Sequence, residues 1–190
     1  AIIPETRNKK KVGYPLSDSQ ILLLLEEEKE EKWRFAYQLL AVYGLRPEEL
    51  RHLVVIDGIE GDELHCTYEK SKGGTKGDKT DPRKLHPLFV KDIDGNPIDW
   101  NLQNRLKIGE SLPYLGEDSI TEKGNKKSGK AAMHLRSRLR WKSSWNSFKK
   151  VAEKQKENLT PYGFRHRYAK QSHAMGFELL NISEAMGHTP

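Results

Sequence analysis

No run of apolar residues in this 190-residue chain is longer than five, as in Ile21 to Leu25. A bilayer span needs about 20, and nothing has the form of a signal peptide, so the chain reads as a soluble, cytoplasmic protein. Apolar residues make up 35% and charged ones 32%, enough to bury the core of one substantial domain. The single cysteine, Cys66, cannot form an internal disulfide and excludes a multi-cysteine zinc module.

The apolar pattern is helical over most of the chain and alternates in one stretch. Ser17-Asp18-Ser19-Gln20 has the form of a capping box, which starts a helix at Asp18 and turns Ile21, Leu22 and Leu25 inward. A second helix over Glu31 to Tyr43 buries Trp33, Ala36, Tyr37 and Leu40, with Gly44 as its left-handed stop. Pro47 suits the first turn of a short helix through His52. Val54-Val55-Ile56, a turn at Gly61 and the alternation Leu64/Cys66/Tyr68 against His65/Thr67 predict an antiparallel hairpin. Leu85-His86-Pro87-Leu88 is expected as its third strand. Beyond Pro97, which opens a segment carrying Ile98, Leu102, Leu106 and Ile108, helices are expected near 131–141, 144–157, 161–175 and 178–186. Thr160-Pro161 would start the third of these, and Gly176 and Gly187 would end the last two. The predicted class is α+β, mostly helical, with a small three-stranded antiparallel sheet. Residues 1–16 read as a basic linker outside the core, arriving from an upstream domain, and 17–190 as the domain itself.

Charge is divided unevenly. Residues 1–69 hold 9 Lys and Arg against 14 Asp and Glu, while 70–190 hold 24 against 13. Between Lys123 and Lys170 there are 15 basic residues opposed only by Glu153 and Glu157. Such an excess repels itself unless a polyanion spreads across it, and nucleic acid is the commonest. A merely solvated basic face is the plain alternative. Lys70, Lys76, Lys126, Lys127, Lys130, Arg136, Arg138, Arg140 and Lys142 are the expected phosphate contacts. Trp141 and Trp145 lie among them and are the tryptophans to test against DNA, although tryptophan is more often a packing residue.

Seven scattered histidines lack metal-ligand spacing, and Lys72-Gly73-Gly74-Thr75 lacks the frame of a phosphate-binding loop, so no metal or cofactor is expected. Two arginines stand apart. Arg46, between Leu45 and Leu50, belongs at an element end beside the core, with Glu49 three residues on to hold it. Arg165 falls on the helix that Phe164 and Tyr168 anchor, with Tyr162 one turn before it. A guanidinium held rigidly suits bidentate grip of a phosphate, whereas an isolated one more often forms a surface salt bridge.

Four segments in order change this picture. Gly44-Leu45-Arg46-Pro47-Glu48-Glu49-Leu50 resembles the first arginine box of the tyrosine recombinases, the phage-integrase family. Ser71-Lys72-Gly73-Gly74 is similar to that family's hairpin lysine, and Leu159 to His166 to its His-x-x-Arg box. Ala185-Met186-Gly187-His188-Thr189 resembles the segment bearing its last histidine. The resemblance spans roughly Pro15 to Pro190. It implies metal-free cleavage and rejoining of double-stranded DNA through a 3′-phosphotyrosyl link, as in site-specific recombination and integration. Arg46 and Arg165 would stabilise charge on the phosphate, Lys72 would protonate the leaving oxygen (with Lys70 next in line), and His188 would donate to a non-bridging oxygen.

Two departures accompany the match. Tyr162 stands where the family usually has histidine, and tyrosine donates to phosphate but is a poor base at neutral pH. No tyrosine follows Tyr168, so the chain as given is expected to bind DNA without cleaving it, as a fragment lacking the attacking tyrosine. The family acts as a tetramer on DNA, and such a fragment is expected to be monomeric in solution and nucleoid-associated. A non-catalytic DNA-binding module, decayed or regulatory, is the alternative, and a type IB topoisomerase-like relaxing activity shares the chemistry.

Overall fold

In the computed structural model, which describes residues 11–68, 82–117, 119–120, 126–127, 130–176, 182 and 185–187, Ser17 starts the first helix as its sequence requires. Its hydroxyl accepts from the Gln20 backbone N–H at 3.2 Å, and the Gln20 side chain accepts from the Ser17 N–H at 3.0 Å. Helix α1 (Asp18–Glu27) buries Ile21, Leu24 and Leu25, with Leu22 packed at the core's margin. Helix α2 (Glu31–Tyr43) is buried continuously from Phe35 to its end and forms the axis of the core. It stops at Gly44, whose φ of 63° is left-handed. Glycine is needed there twice over, because a Cβ would also lie 2.5 Å from the Tyr168 ring.

A 3₁₀ turn (Pro47–Arg51) leads into the sheet. Strands β2 (Leu53–Gly58) and β3 (Gly61–Cys66) pair antiparallel with Leu53 opposite Cys66, turning Leu64 and Cys66 to the core while Val54 and Ile56 face out. The third strand, β4, is Arg83–Lys84, not the expected Leu85–Leu88. One further ladder bond forms, from the Leu85 N–H to the Leu64 carbonyl. Pro87 then has no N–H to donate, and Leu88 turns away to bond the Val42 carbonyl on α2.

Helix α3 covers only Leu102–Lys107; Ile98 bonds back to Val90 instead of extending it, and Ile108 is exposed. Strands β5 (Ser119–Ile120) and β6 (Lys126–Lys127) form a short antiparallel ladder. Helix α4 (Ala131–Leu139) and helix α5 (Ser143–Lys154) follow. Lys156 takes a left-handed turn, φ 58°, and β7 (Glu157–Asn158) then pairs in parallel with β1 (Val12–Gly13). The lead-in is therefore not outside the core at residues 12–16. Tyr14 and Leu16 are buried, and their N–H groups bond the carbonyls of Asn158 and Gly163.

Helix α6 (Gly163–Ala174) begins two residues later than Thr160-Pro161 suggested, because the Thr160 hydroxyl and carbonyl close a turn on the N–H groups of Tyr162 and Gly163. It packs chiefly on α2. Gly176, just past the end of α6, adopts positive φ as expected of a helix stop, and Gly187 has φ 70°; most of the helix expected near 178–186 lies outside the described residues. The architecture is α+β, mostly helical, with one small antiparallel sheet beside the helices.

Candidate functional site: a buried carboxylate ringed by arginines

Glu49 is fully buried at the junction of the 3₁₀ turn, the sheet and α6. Its Oε1 accepts from the backbone N–H of Arg46 at 2.7 Å, which satisfies a donor at the start of the turn and fixes where Arg46 sits. The same oxygen lies 3.6 Å from Nη1 of Arg46 and 3.6 Å from Nη1 of Arg165. Its other oxygen accepts from Nη1 of Arg83 at 2.5 Å and from the Cys66 thiol at 3.3 Å. Two arginines 119 positions apart in the sequence thus meet over one carboxylate, and a third joins them.

The guanidiniums of Arg165 and Arg83 are each held from more than one side. Arg165 is 4% exposed, and its Nη1 donates to the Gly44 carbonyl at 2.7 Å and its Nη2 to the Met186 carbonyl at 2.6 Å. Arg46 is 7% exposed, and its guanidinium pairs with Glu49. Arg83 donates from Nε to the Ala185 carbonyl at 3.1 Å. Among the described residues, three cations pair with one carboxylate, an excess of positive charge out of water. Burial, reinforced by the neighbouring charge of Arg46, pushes Arg165 down to about 10. Glu49 moves the other way: burial opposes ionisation, but bonds from Arg83 and the Arg46 amide hold its carboxyl below the usual range. An anion arriving here would relieve the repulsion among the arginines.

Tyr162, one residue before α6, donates its hydroxyl to Glu48 at 3.4 Å. Burial and then the Glu48 charge push it up to about 12, so at neutral pH it stays protonated and keeps a proton to donate. Cys66 is likewise pushed up to about 12, by burial and by Glu49, and is a thiol, not a thiolate nucleophile.

Of the residues singled out by sequence, Arg46, Glu49, Tyr162 and Arg165 come together. Lys70, Lys72, Lys76 and His188 lie outside the described residues, and so do the side chains of Lys126 and Lys127. Lys130, Arg136 and Arg140 are exposed, and the Arg140 guanidinium lies over the Trp141 ring, 4.9 Å from its centroid. Arg138 and Lys142 are committed elsewhere. Arg138 grips the buried Glu28 with two bonds of 2.9 Å, and Lys142 adds a third at 2.9 Å. Trp145 is a core residue stacked near Phe164, while Trp141 is 77% exposed. The sequence around Arg83 does not mark it, since it is one of two adjacent basic residues, with Lys84, between Pro82 and the apolar Leu85. Among the described residues no group of three or more His, Cys, Asp or Glu is placed to hold a metal ion, and no helix is long and apolar enough to cross a membrane.

The molecule is thus an α+β domain with a cluster of three arginines built on a buried carboxylate. No family model matches the chain. It is 28% identical over 158 residues to Excisase A of Nostoc sp. (strain PCC 7120 / SAG 25.82 / UTEX 2576), a stretch covering 83% of this chain and 29% of that one. The chain therefore spans less than a third of the length of that curated relative. Among solved structures, XerA recombinase matches at 17% identity and a TM-score of 0.48 over 99% of this chain and 59% of that one. The Tn1549 transposon integrase in complex with circular intermediate DNA matches at 14% and 0.48 over 96% and 61%.

Proposed function

We propose that the chain is catalytic-domain sequence of a tyrosine-type site-specific DNA recombinase and that the Glu49 arginine cluster grips the phosphate at which a strand is cut. The observation that carries this is the meeting of Arg46 and Arg165, both buried, on the same oxygen of Glu49. The similarity in sequence to a protein named an excisase supports the same class of reaction.

A phosphodiester under in-line attack gathers charge on its non-bridging oxygens. Fixed guanidiniums stabilise that charge without having to reorganise, in a site where water screens little. Arg46 and Arg165 take this role, and Glu49 holds both in place. Tyr162, kept protonated, turns its hydroxyl from Glu48 to a phosphate oxygen, in the position where tyrosine recombinases usually have histidine. Lys72 protonates the departing 5′-oxygen, and His188 adds a hydrogen bond. The attacking group would be a tyrosine hydroxyl, and neither Tyr162 nor Tyr168 is assigned that part: the first is held by Glu48, and the second bonds the His86 carbonyl at 2.9 Å. Lys130, Arg136 and Arg140 contact the duplex backbone, and the protein works on chromosomal DNA inside the cell, as a tetramer when assembled on its sites.

The test is covalent adduct formation on duplex DNA by the full gene product. Arg46→Ala and Arg165→Ala should abolish adducts while DNA binding largely persists. Adducts that survive either substitution rule the reading out. DNA binding that persists in an unsubstituted protein which never forms adducts would favour a non-catalytic DNA-binding module.

A further inference from the structure

We propose that Arg83 is a positioning residue, tying the arginine cluster to the turn at residues 185–187. This rests on the phosphate-grip reading for its functional meaning, but its geometry stands apart from it. Arg83 opens β4, and its guanidinium spans two partners far away in the chain: Glu49 Oε2 at 2.5 Å through Nη1, and the Ala185 carbonyl at 3.1 Å through Nε. Arg165 does the same from the opposite element. Its Nη1 faces the other Glu49 oxygen at 3.6 Å, and its Nη2 donates to the next carbonyl, that of Met186, at 2.6 Å.

Two guanidiniums therefore form parallel rungs between one carboxylate and two consecutive carbonyls. Arg165 makes the rung nearer Arg46, and Arg83 makes the second. The turn is seated closely on the second rung, since a Cβ on Gly187 would come 2.9 Å from Arg83 Nη1, and Gly187 holds a left-handed φ of 70°. Met186 is buried against Tyr168 and Ile182 in a small apolar cluster, which fixes the turn from its other side.

Burial works against charge on Arg83, and the Glu49 bond and charge overcome it, so the fork stays cationic and keeps both bonds. Lysine could not replace it. A single ammonium is a point charge that reaches Glu49 or Ala185, whereas the planar fork reaches both at fixed separation. Arg83 acts through its partners: Glu49 is held at both oxygens, so Arg46 and Arg165 keep their separation, and the turn that precedes His188 in the sequence is anchored to the same carboxylate.

The experiment uses the 190-residue chain. Amide hydrogen exchange is followed at 185–187 and, for reference, in α1 and α5, and binding of inorganic phosphate is read from the shift in Tm. Arg83→Ala should speed exchange at 185–187 about tenfold or more while leaving α1 and α5 within about twofold, the pattern of local rather than global opening. It should also weaken phosphate binding about fivefold, and Arg83→Lys should recover part of the phosphate binding but not the protection at 185–187. Gly187→Ala, which crowds Arg83 from the turn side, should loosen 185–187 in the same way and serves if Arg83→Ala does not fold. Unchanged exchange at 185–187 in these variants overturns the proposal. So does an equal rise in α1 and α5, which would mark Arg83 as a general stabiliser. Arg46→Ala separates the two readings: if it leaves phosphate binding intact while Arg83→Ala still loosens 185–187, the tether stands and the phosphate grip falls.

Discussion

Glu28 and Glu49 are both buried carboxylates, and each collects cations from distant parts of the chain. Around Glu28 the charges balance. Arg138 and Lys142 bond it, Tyr37 donates a fourth bond at 2.9 Å, and Glu30 takes a share of Arg138 at 3.2 Å. Both cations keep part of their side chains in water, so this hub fastens the α4–α5 corner to the end of α1 and has nothing left to offer a ligand. Around Glu49 three more deeply buried arginines face one carboxylate. A carboxylate matched by its cations is a rivet, and one outnumbered by them is the floor of the proposed anion site.

The largest expected effects fall on the outnumbered side. Arg165→Ala or Arg46→Ala should cost about a thousandfold or more in adduct formation, read in single-turnover assays, since each removes a preorganised donor to developing charge. Removing the floor itself should cost stability. Glu49→Gln leaves three buried guanidiniums unneutralised, and a loss of about 3–5 kcal/mol is expected in urea titration, partly restored by sulfate or phosphate. Glu28→Gln should cost less, about 2–3 kcal/mol, because its cations can turn to water, and added phosphate should restore none of it.

Acid sharpens the contrast. The pull of burial toward protonation is outweighed at Glu28 by Arg138, Lys142 and Tyr37, and at Glu27 by the hydroxyl and amide donors of Ser144 and Ser143. Both carboxyls are held down at about 2. The unfolded chain, titrating near 4.5, binds more protons than the folded one between those values, so stability is complete above about pH 5 and drains away as pH falls toward 2. Glu28→Gln should flatten that acid limb of the Tm profile, and a limb of unchanged steepness would count against the Glu28 hub.

Surface cations should show the smallest effects on stability. Arg136→Ala and Arg140→Ala should shift it by no more than about 0.5 kcal/mol, yet each should reduce the slope of log affinity for duplex DNA against log salt by about one. Arg138→Ala should do the reverse, with lower stability and an unchanged slope.

This division explains what could be read in advance. The capping box at Ser17, the Gly44 stop and the hairpin depend on neighbours in the chain, and so does the seating of Arg46 by Glu49 three residues away. Arg165 could be named because it travels with Tyr162, Phe164 and His166 in a compact motif. Arg83 could not, because its partners are 34 and 102 positions away and nothing beside it marks the role. Arg138 and Lys142 were assigned to DNA because they lie in a basic run, and their acidic partner stands 110 and 114 positions upstream. Apolar Leu85 and Leu88 suggest a strand there, but Pro87 has no N–H to donate, and the third strand is Arg83–Lys84 instead. Residues 12–16 were set outside the core because their fixing bonds come from Asn158 and Gly163, at the far end of the sequence.

The most direct measurement is the rise in Tm produced by inorganic phosphate in the unsubstituted chain and in Arg46→Ala, Arg165→Ala and Arg138→Ala. A phosphate site above Glu49 requires the rise in the unsubstituted chain and in Arg138→Ala, and its loss in the other two. An equal rise in all four proteins would mean that phosphate binds elsewhere, and the Glu49 arginines would be structural alone.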